Sequence, residues 1–380
     1  MKKIRIIALH LAYGGIEKAI ISMANLFADR YDVEILSVYN MPGSPAFPLD
    51  ERVRVRHLMS VIPNREEFKA ACKAKNPVAI AREGLKSAYI LTEKKRCVIQ
   101  AIKSINDGVI ISTRPEHNVL LSKYGNKNVL KIAQFHQDHR FEKQYIEDFS
   151  KKYGNIDIFA HLTPSLMEEV AEMMKENQHT KHAFVPNFLE TLPDLSGVQS
   201  REKTIISVGR LHPVKGFDRL ISAFAKVADK YPDWRVKIIG DGDEQEKLSS
   251  MIKEYGLEGR VLLCGKMNSF ELEEEMKKAS VFAMTSHSEG LSFVTLESQS
   301  CGLPMLSYDV RVGNKMVVQQ GVNGFLVPDG DENEFVDKLG MLMDDSELCS
   351  QMGQNAVMRA RDFSKESVSE IWFNVLENQI

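Results

Sequence analysis

The chain reads as an α/β protein built of two parallel-sheet lobes, and three observations predict this. Short runs rich in Ile, Val and Leu alternate almost end to end with segments whose apolar residues recur at i, i+3 and i+4. Apolar strands set between amphipathic helices are what parallel sheets covered on both faces require. The series breaks once, over 187–203 (NFLETLPDLSGVQSREK), which is polar, carries Pro, Ser and Gly, shows no periodicity and is followed by a fresh strand. A length of 380 residues exceeds one ordinary core and suits two.

In order, the expected strands are KIRIIAL (3–9), DVEILSV (32–38), GVIIST (108–113), VLKIAQF (129–135) and IDIFAHL (156–162). After the break come TIISVG (204–209), WRVKIIG (234–240), RVLLCG (260–265) and SVFAMTS (280–286), and Pro304 opens a further one. Between the first two lies a helix whose apolar face is Ile16, Ala19, Ile20, Met23 and Phe27. Two lobes with a cleft between them are expected, the break being the linker. In open parallel sheets ligands bind beyond the carboxyl ends of the strands, so the loops that follow strands are the places to search.

Composition narrows the class. With 43% hydrophobic and 27% charged residues the chain is globular rather than disordered. No apolar run reaches the ~20 residues that span a bilayer. The basic, then apolar start MKKIRIIALHLAYGG continues as a helix without a small-residue cleavage site, so it is read as a first strand, not a leader. Five cysteines (72, 97, 264, 301, 349) form neither CxxC nor a zinc spacing, which suits reduced thiols in the cytoplasm. Between Glu51 and Ser104 thirteen Lys/Arg face five Glu, a net +8 that leaves −11 for the rest of the chain. That segregation suits an anionic partner for one region, or simply a solvated helical surface.

Six stretches could carry chemistry. Gly14 and Gly15 follow the first strand and open a helix, where bare backbone N–H groups can face an anion, or simply make a tight turn. In SVGRLHPVKGFDRL, Arg210 and Lys215 follow Gly209 and precede a helix starting near Gly216 or Phe217. Two cations at a helix N-terminus oppose its dipole; a phosphate would explain both, although surface cations remain the alternative. GDGDE (240–244) and PDGDE (328–332) each contain D-x-D, but both lead into helices, where acids cap more often than they bind metal. SHSEGLSFVTLESQSCGLP (286–304) places Glu289 in a strand-to-helix loop, Ser292 at the N-cap, Glu297 inside the helix and Gly302 at its stop. Eight residues apart, the two glutamates would sit some 80° apart if both were helical, so they suit different parts of one ligand rather than an acid/base pair. His136 closes the strand VLKIAQF, ahead of Asp138, His139 and Arg140, and is either a site residue or a satisfied structural histidine.

The order VGRL, KG, GDGDE, EGLSFVTLE, SCGLP, GVNGFLV resembles the GT-B fold glycosyltransferases of family 4, retaining enzymes that use nucleotide-diphosphate sugars. The likeness is strongest over about 204–330, where Glu289 and Glu297 match the E-x7-E motif. It implies two Rossmann-like lobes facing each other across a cleft, residues 1–190 on the acceptor side and 200–361 on the donor side, with 364–380 crossing back and Trp372 anchoring it. Val185, Pro186 and Asn187 would lie at the hinge, with Phe188 where many relatives have glycine. It implies further that Arg210 and Lys215 grip the donor diphosphate, Glu297 the ribose and Glu289 the transferred sugar. The amides of Gly290, Leu291, Ser292 and Phe293 would face the donor with Gly209, Gly14 and Gly15 would admit phosphate and acceptor, and His136 would stand beside the reacting sugar.

The expected activity is hexosyl transfer, from a UDP-sugar above all, to a glycan, lipid-linked or anionic polymer acceptor. No cofactor, divalent metal or nucleic acid is expected. The expected location is cytoplasmic, with the basic region meeting a membrane or the acceptor. A sugar-nucleotide epimerase, a phosphorylase and a non-catalytic sugar-nucleotide sensor are the competing readings. A nicotinamide enzyme is weaker, because GDGDEQ lacks the third glycine of that fingerprint.

Overall fold

The computed structural model describes residues 2–140, 142–198 and 200–378, the side chain of Asn378 excepted. The chain divides into two compact units, one of 1–185 with 374–380 and one of 186–373. The division therefore falls at Val185/Pro186 and again at Phe373/Asn374, the last helix beginning in the second unit and ending in the first.

In unit one the strands are β1 (Lys3–Ala8), β2 (Asp32–Tyr39), β3 (Arg54–Met59), β4 (Val109–Ser112), β5 (Leu130–Phe135), β6 (Ile158–His161) and β7 (Lys181–Phe184). Its helices are α1 (Gly15–Ala28), α2 (Arg65–Lys73), α3 (Pro77–Lys103), α4 (Pro115–Tyr124), α5 (Lys143–Lys152) and α6 (Pro164–Met173). The strands form one parallel sheet in the order β3-β2-β1-β4-β5-β6-β7. Neither β3 nor β7 follows from the sequence pattern. Both are edge strands with half-exposed residues, so neither needed an apolar run.

Unit two repeats the plan with β8 (Thr204–Val208), β9 (Arg235–Ile239), β10 (Val261–Leu263), β11 (Val281–Met284), β12 (Met305–Asp309) and β13 (Gly324–Pro328). Helices α7 (Phe217–Val227), α8 (Gln245–Glu254), α9 (Ser269–Lys278), α10 (Phe293–Ser300), α11 (Gly313–Val317), α12 (Glu332–Asp344), α13 (Ser346–Ala360) and α14 (Lys365–Asn378) accompany them. The parallel order is β10-β9-β8-β11-β12-β13. Alternate residues feed opposite faces: Ile205, Val281, Ala283 and Leu306 pack with Leu220, Phe224 and Phe335, while Ile206, Phe282, Met284 and Met305 pack with Met276, Cys301 and Leu303. Each fully buried Ile or Phe on such a sheet contributes about 1.5–3 kcal/mol.

The polar break at 187–203 is not a free linker. Leu189 bridges to Ser364, and Arg201 gives its guanidinium to the carbonyls of Ala279 (2.8 Å) and Cys301 (2.7 Å). The segment is aperiodic because side chains and loop carbonyls, rather than a ladder, satisfy it. Trp372 is buried in α14, in the part of that helix that belongs to the second unit. All five cysteines are free. No helix among the described residues is long and apolar enough to cross a membrane.

Candidate functional site

Each sheet reverses its winding once, between β1 and β4 in unit one and between β8 and β11 in unit two. At such a point the loops after the two strands diverge and leave a crevice at the strand carboxyl ends. In unit two these loops carry the residues singled out from the sequence.

Three contacts join the two loops. Thr285 Oγ1 donates to the carbonyl of Gly216 at 2.7 Å, the His287 amide donates to the carbonyl of Val214 at 2.8 Å, and Lys215 Nζ meets Glu289 Oε1 at 2.5 Å. Gly216 makes the approach possible. It is left-handed (φ 58°), and a Cβ there would stand 2.3 Å from the Thr285 carbonyl oxygen. A short 3₁₀ turn, Pro213–Lys215, precedes it, and α7 begins at Phe217 as the spacing predicts. Lys215 lays its methylenes over Gly209, where a Cβ would lie 3.3 Å from its Cδ. Glu289 is buried and also accepts from Ser286 Oγ at 2.6 Å, so its carboxylate is held from two sides. Arg210 is exposed and makes no side-chain hydrogen bond or ion pair among the described residues.

Glu289 lies in the loop and Glu297 one turn inside α10, so the 80° helical separation does not apply to them. Ser292 holds the N-cap position but its hydroxyl caps nothing; instead its carbonyl accepts from Thr295 Oγ1 at 2.6 Å. The first-turn N–H groups of α10 thus lack a side-chain cap, and the dipole there favours an anion. Leu291 and Phe293 bury their side chains, which leaves only their backbone for a ligand, while Gly290 and Ser292 are partly exposed. The run of hydroxyls in this segment is structural: Ser298 and Ser300 donate back to Thr295 and Glu297 carbonyls, as buried helix serines do. Asn187 donates to the Leu291 carbonyl at 2.6 Å and tethers the loop.

Of the two D-x-D stretches, the capping expectation holds for one. Asp331 accepts from the Glu334 amide at 3.0 Å and caps α12. Asp241 and Asp243 do not cap α8, whose N-cap position is Glu244, without a side-chain cap. Their segment instead turns through close glycines, and Leu211 donates its amide to the Asp241 carbonyl at 2.7 Å. Among the described residues no group of three His, Cys, Asp or Glu is arranged to hold a metal ion.

Gly14, Gly15 and His136 belong to unit one. Gly14 is the N-cap of α1, and a Cβ there would sit 2.1 Å from Glu17 Oε2; nothing lies within 4 Å of one at Gly15. Glu17 is the residue the sequence reading passed over. Buried in the first turn of α1, it binds the guanidinium of Arg114 at 2.7 Å, and His10 Nδ1 stands 3.7 Å away. Arg114 follows β4 and Glu17 follows β1, so the unit-one crevice is bridged by an ion pair just as Lys215–Glu289 bridges that of unit two. The signal was the charged pair E17/R114 directly after adjacent apolar strands, which adjacency in the sheet alone reveals. His136, half-buried after β5, places Nε2 2.9 Å from Gln134 Oε1. Burial, aided by the charge of Arg114, pushes its imidazole down to about 3, so the ring is neutral at physiological pH. Burial also lowers His10, with Glu17 opposing and Arg114 reinforcing the shift.

Residues 190–359 match the family model of the glycosyl transferases group 1. A Haemophilus influenzae protein named "Uncharacterized glycosyltransferase" is 29% identical over 99% of this chain and 100% of its own. An exopolysaccharide phosphotransferase of Streptomyces coelicolor is 28% identical over 94% of this chain, which spans only 39% of that protein's length. Among solved structures, Staphylococcus aureus TarM, in complex with Fondaparinux, alpha-GlcNAc-glycerol and UDP, superposes with a TM-score of 0.79 at 16% identity, covering 99% of this chain and 100% of that one. The fold is therefore GT-B, and the segment 190–359, which carries the Lys215–Glu289 crevice, is similar to the group 1 glycosyl transferases.

Proposed function

We propose that the protein is a metal-independent, retaining hexosyltransferase of the E-x7-E kind. It moves a hexose or N-acetylhexosamine from a UDP-sugar to a glycan, glycolipid or cell-wall polymer. The observation that carries this reading is the pair of joined loops in unit two, which gathers Lys215, Glu289 and the uncapped start of α10 in one crevice. When the bond from the sugar to the diphosphate breaks, negative charge grows on the departing phosphate. Lys215, the free guanidinium of Arg210 and the α10 amides are the groups that would neutralise it. Glu289 keeps Lys215 aimed and offers its remaining acceptor capacity to sugar hydroxyls, while Glu297 receives the ribose. TarM was solved with UDP, which supports the choice of donor base.

A thermal-shift panel of UDP-, GDP- and ADP-linked sugars tests the donor site. A bound donor at 100 times its Kd raises stability by about 2.7 kcal/mol. The UDP-sugars are expected to shift the wild type, and Glu297→Gln to weaken that binding by about 1–2 kcal/mol. No shift with any sugar nucleotide would remove the donor-site assignment. The name of the Streptomyces relative raises a phosphotransferase as second reading, and the product decides. Sugar transfer releases UDP, whereas phosphosugar transfer breaks the diphosphate and releases UMP.

The acceptor side is proposed to use the basic region, in a narrower form than the charge count implies. Arg52, Arg54 and Arg56 are paired with Asp29 and Asp50, with Asp32 and with Glu34, so they are not free for a partner. Exposed cations without an ion pair among the described residues are Arg65, Lys73, Lys75, Lys86, Lys95 and Lys103, on or between α2 and α3. Beside them α3 exposes Val78 (78%), Leu85 (75%) and Tyr89 (58%), which fall on one stripe of the helix. Apolar side chains among lysines suit the cytoplasmic face of an anionic membrane, where each lysine is worth about 1 kcal/mol. Reversing Lys73, Lys75, Lys86 and Lys95 to Glu is expected to abolish sedimentation with phosphatidylglycerol liposomes. Unchanged sedimentation and unchanged activity would dismiss the surface.

A further inference from the structure

We infer that Gln134 is a positioning residue for His136: its side-chain carbonyl accepts the Nε2–H, which fixes the tautomer of the ring and leaves Nδ1 as its acceptor nitrogen. The inference rests on the proposed transferase function and on the place that the family resemblance implies for His136, beside the reacting sugar.

The arrangement follows from the strand. Residues two apart on a strand point to the same side, so Gln134 near the end of β5 and His136 just beyond it share a face. Gln134 is itself buried (3% exposed) and is held by the neighbouring strand and helix. Its backbone carbonyl accepts from Asn118 Nδ2 at 3.1 Å, and Asn118, wholly buried on α4, accepts in turn from Ser112 Oγ at the end of β4. Register sets this chain of bonds, because Ser112 lies opposite Ala133. The backbone bond fixes the strand from which the buried amide projects, and an amide oxygen can only accept. The imidazole must then carry its proton on Nε2, as a second partner commonly decides for a histidine. Arg114, from the loop after β4, is the charge that faces the ring, with Glu17 and His10 behind it. On the ring's own loop Asp138 turns to the Arg140 amide, and His139 is tied to Glu169 of α6. Burial and the charge of Arg114 both oppose the charged form of the imidazole. What Nδ1 offers a substrate is a lone pair, so the group it orients must be a hydroxyl or an N–H of the sugar or the acceptor.

The direct test uses the full chain labelled with ¹⁵N-histidine, with His136→Asn to assign the resonance. The wild type is expected to show the Nε2–H form and no protonation of the ring between pH 5 and 8. Gln134→Leu should give mixed tautomers, and Gln134→Glu should bring protonation into the range between pH 6 and 8, because a carboxylate favours the imidazolium. An Nδ1–H form in the wild type, or a tautomer unmoved in Gln134→Leu, would overturn the inference. Such a result speaks to Gln134 alone and leaves the transferase reading intact. In turnover of the donor picked by the thermal-shift panel, Gln134→Leu should lower kcat about 10–100-fold, as loss of an orienting partner does, with KM little changed. Gln134→Glu should lose activity on the acid side and regain it as pH rises. A folded Gln134→Leu protein with wild-type kcat would also reject the positioning role. If instead His136→Asn turns over like wild type, the place of His136 beside the sugar fails first.

Discussion

Replacing Lys215 by alanine is expected to lower sugar transfer by 10²–10³-fold, about 2.7–4 kcal/mol of transition-state stabilisation, and to destabilise the second unit as well. The second effect comes from Glu289. Its side chain is 8% exposed and is bound by Lys215 and Ser286; without the ammonium a buried carboxylate loses its counter-charge. Removing one partner of a buried pair is costly, by about 3 kcal/mol where burial is complete. Lys215 is itself 20% exposed, so water entering its place should reduce that cost. Two measurements separate the effects: kcat with the donor, and urea unfolding of the same sample. The double variant Lys215→Met with Glu289→Leu should recover stability, since replacing both partners by apolar groups removes the unpaired charge, but not activity. A single Lys215→Ala variant with wild-type turnover would show that the crevice does not do the chemistry.

The second large effect is expected at Gly313, a residue outside every motif. A Cβ there would stand 1.6 Å from the Gly290 carbonyl oxygen and 2.5 Å from its carbon, both backbone atoms. No side-chain rotation can relieve that contact, so Gly313→Ala must move the 289–292 loop or the start of α11. Overpacking of this kind costs about 3 kcal/mol or more, which for a unit of this size lowers Tm by on the order of 10 °C. The loop that moves is the one that carries Glu289 and the start of α10, so donor-induced stabilisation should vanish even below the new Tm. Differential scanning calorimetry with and without the donor reads both. A variant that unfolds at the wild-type temperature would show that the loop has room the contact denies.

Much of the unit-two crevice was legible because each of its residues sits within a strong local signature. Arg210, Lys215, Glu289 and Glu297 stand after strands whose apolar runs mark them, and the helix start at Gly216 and the stop at Gly302 fall on left-handed backbone in the structure. The edge strands β3 and β7 were not legible, because a strand with one neighbour and an exposed side needs no hydrophobic signature. Nor was Gln134, a polar residue within an apolar run whose role depends on a histidine two positions on and an asparagine on another element.

Sequence by itself determined the elements and their class: alternating apolar strands and amphipathic helices leave a parallel α/β architecture as the way to bury both faces of the strands. It also supplied the chemical inventory of the unit-two loops, including which cations and carboxylates are present. What only the tertiary structure decided is pairing. Residues 17 and 114 are far apart along the chain and so are 215 and 289, yet each pair forms an ion pair across the point where its sheet reverses. Strand order is a property of the whole sheet, set by which faces pack together and not by any local pattern. The partner that each charge finds was therefore beyond what a linear reading could reach.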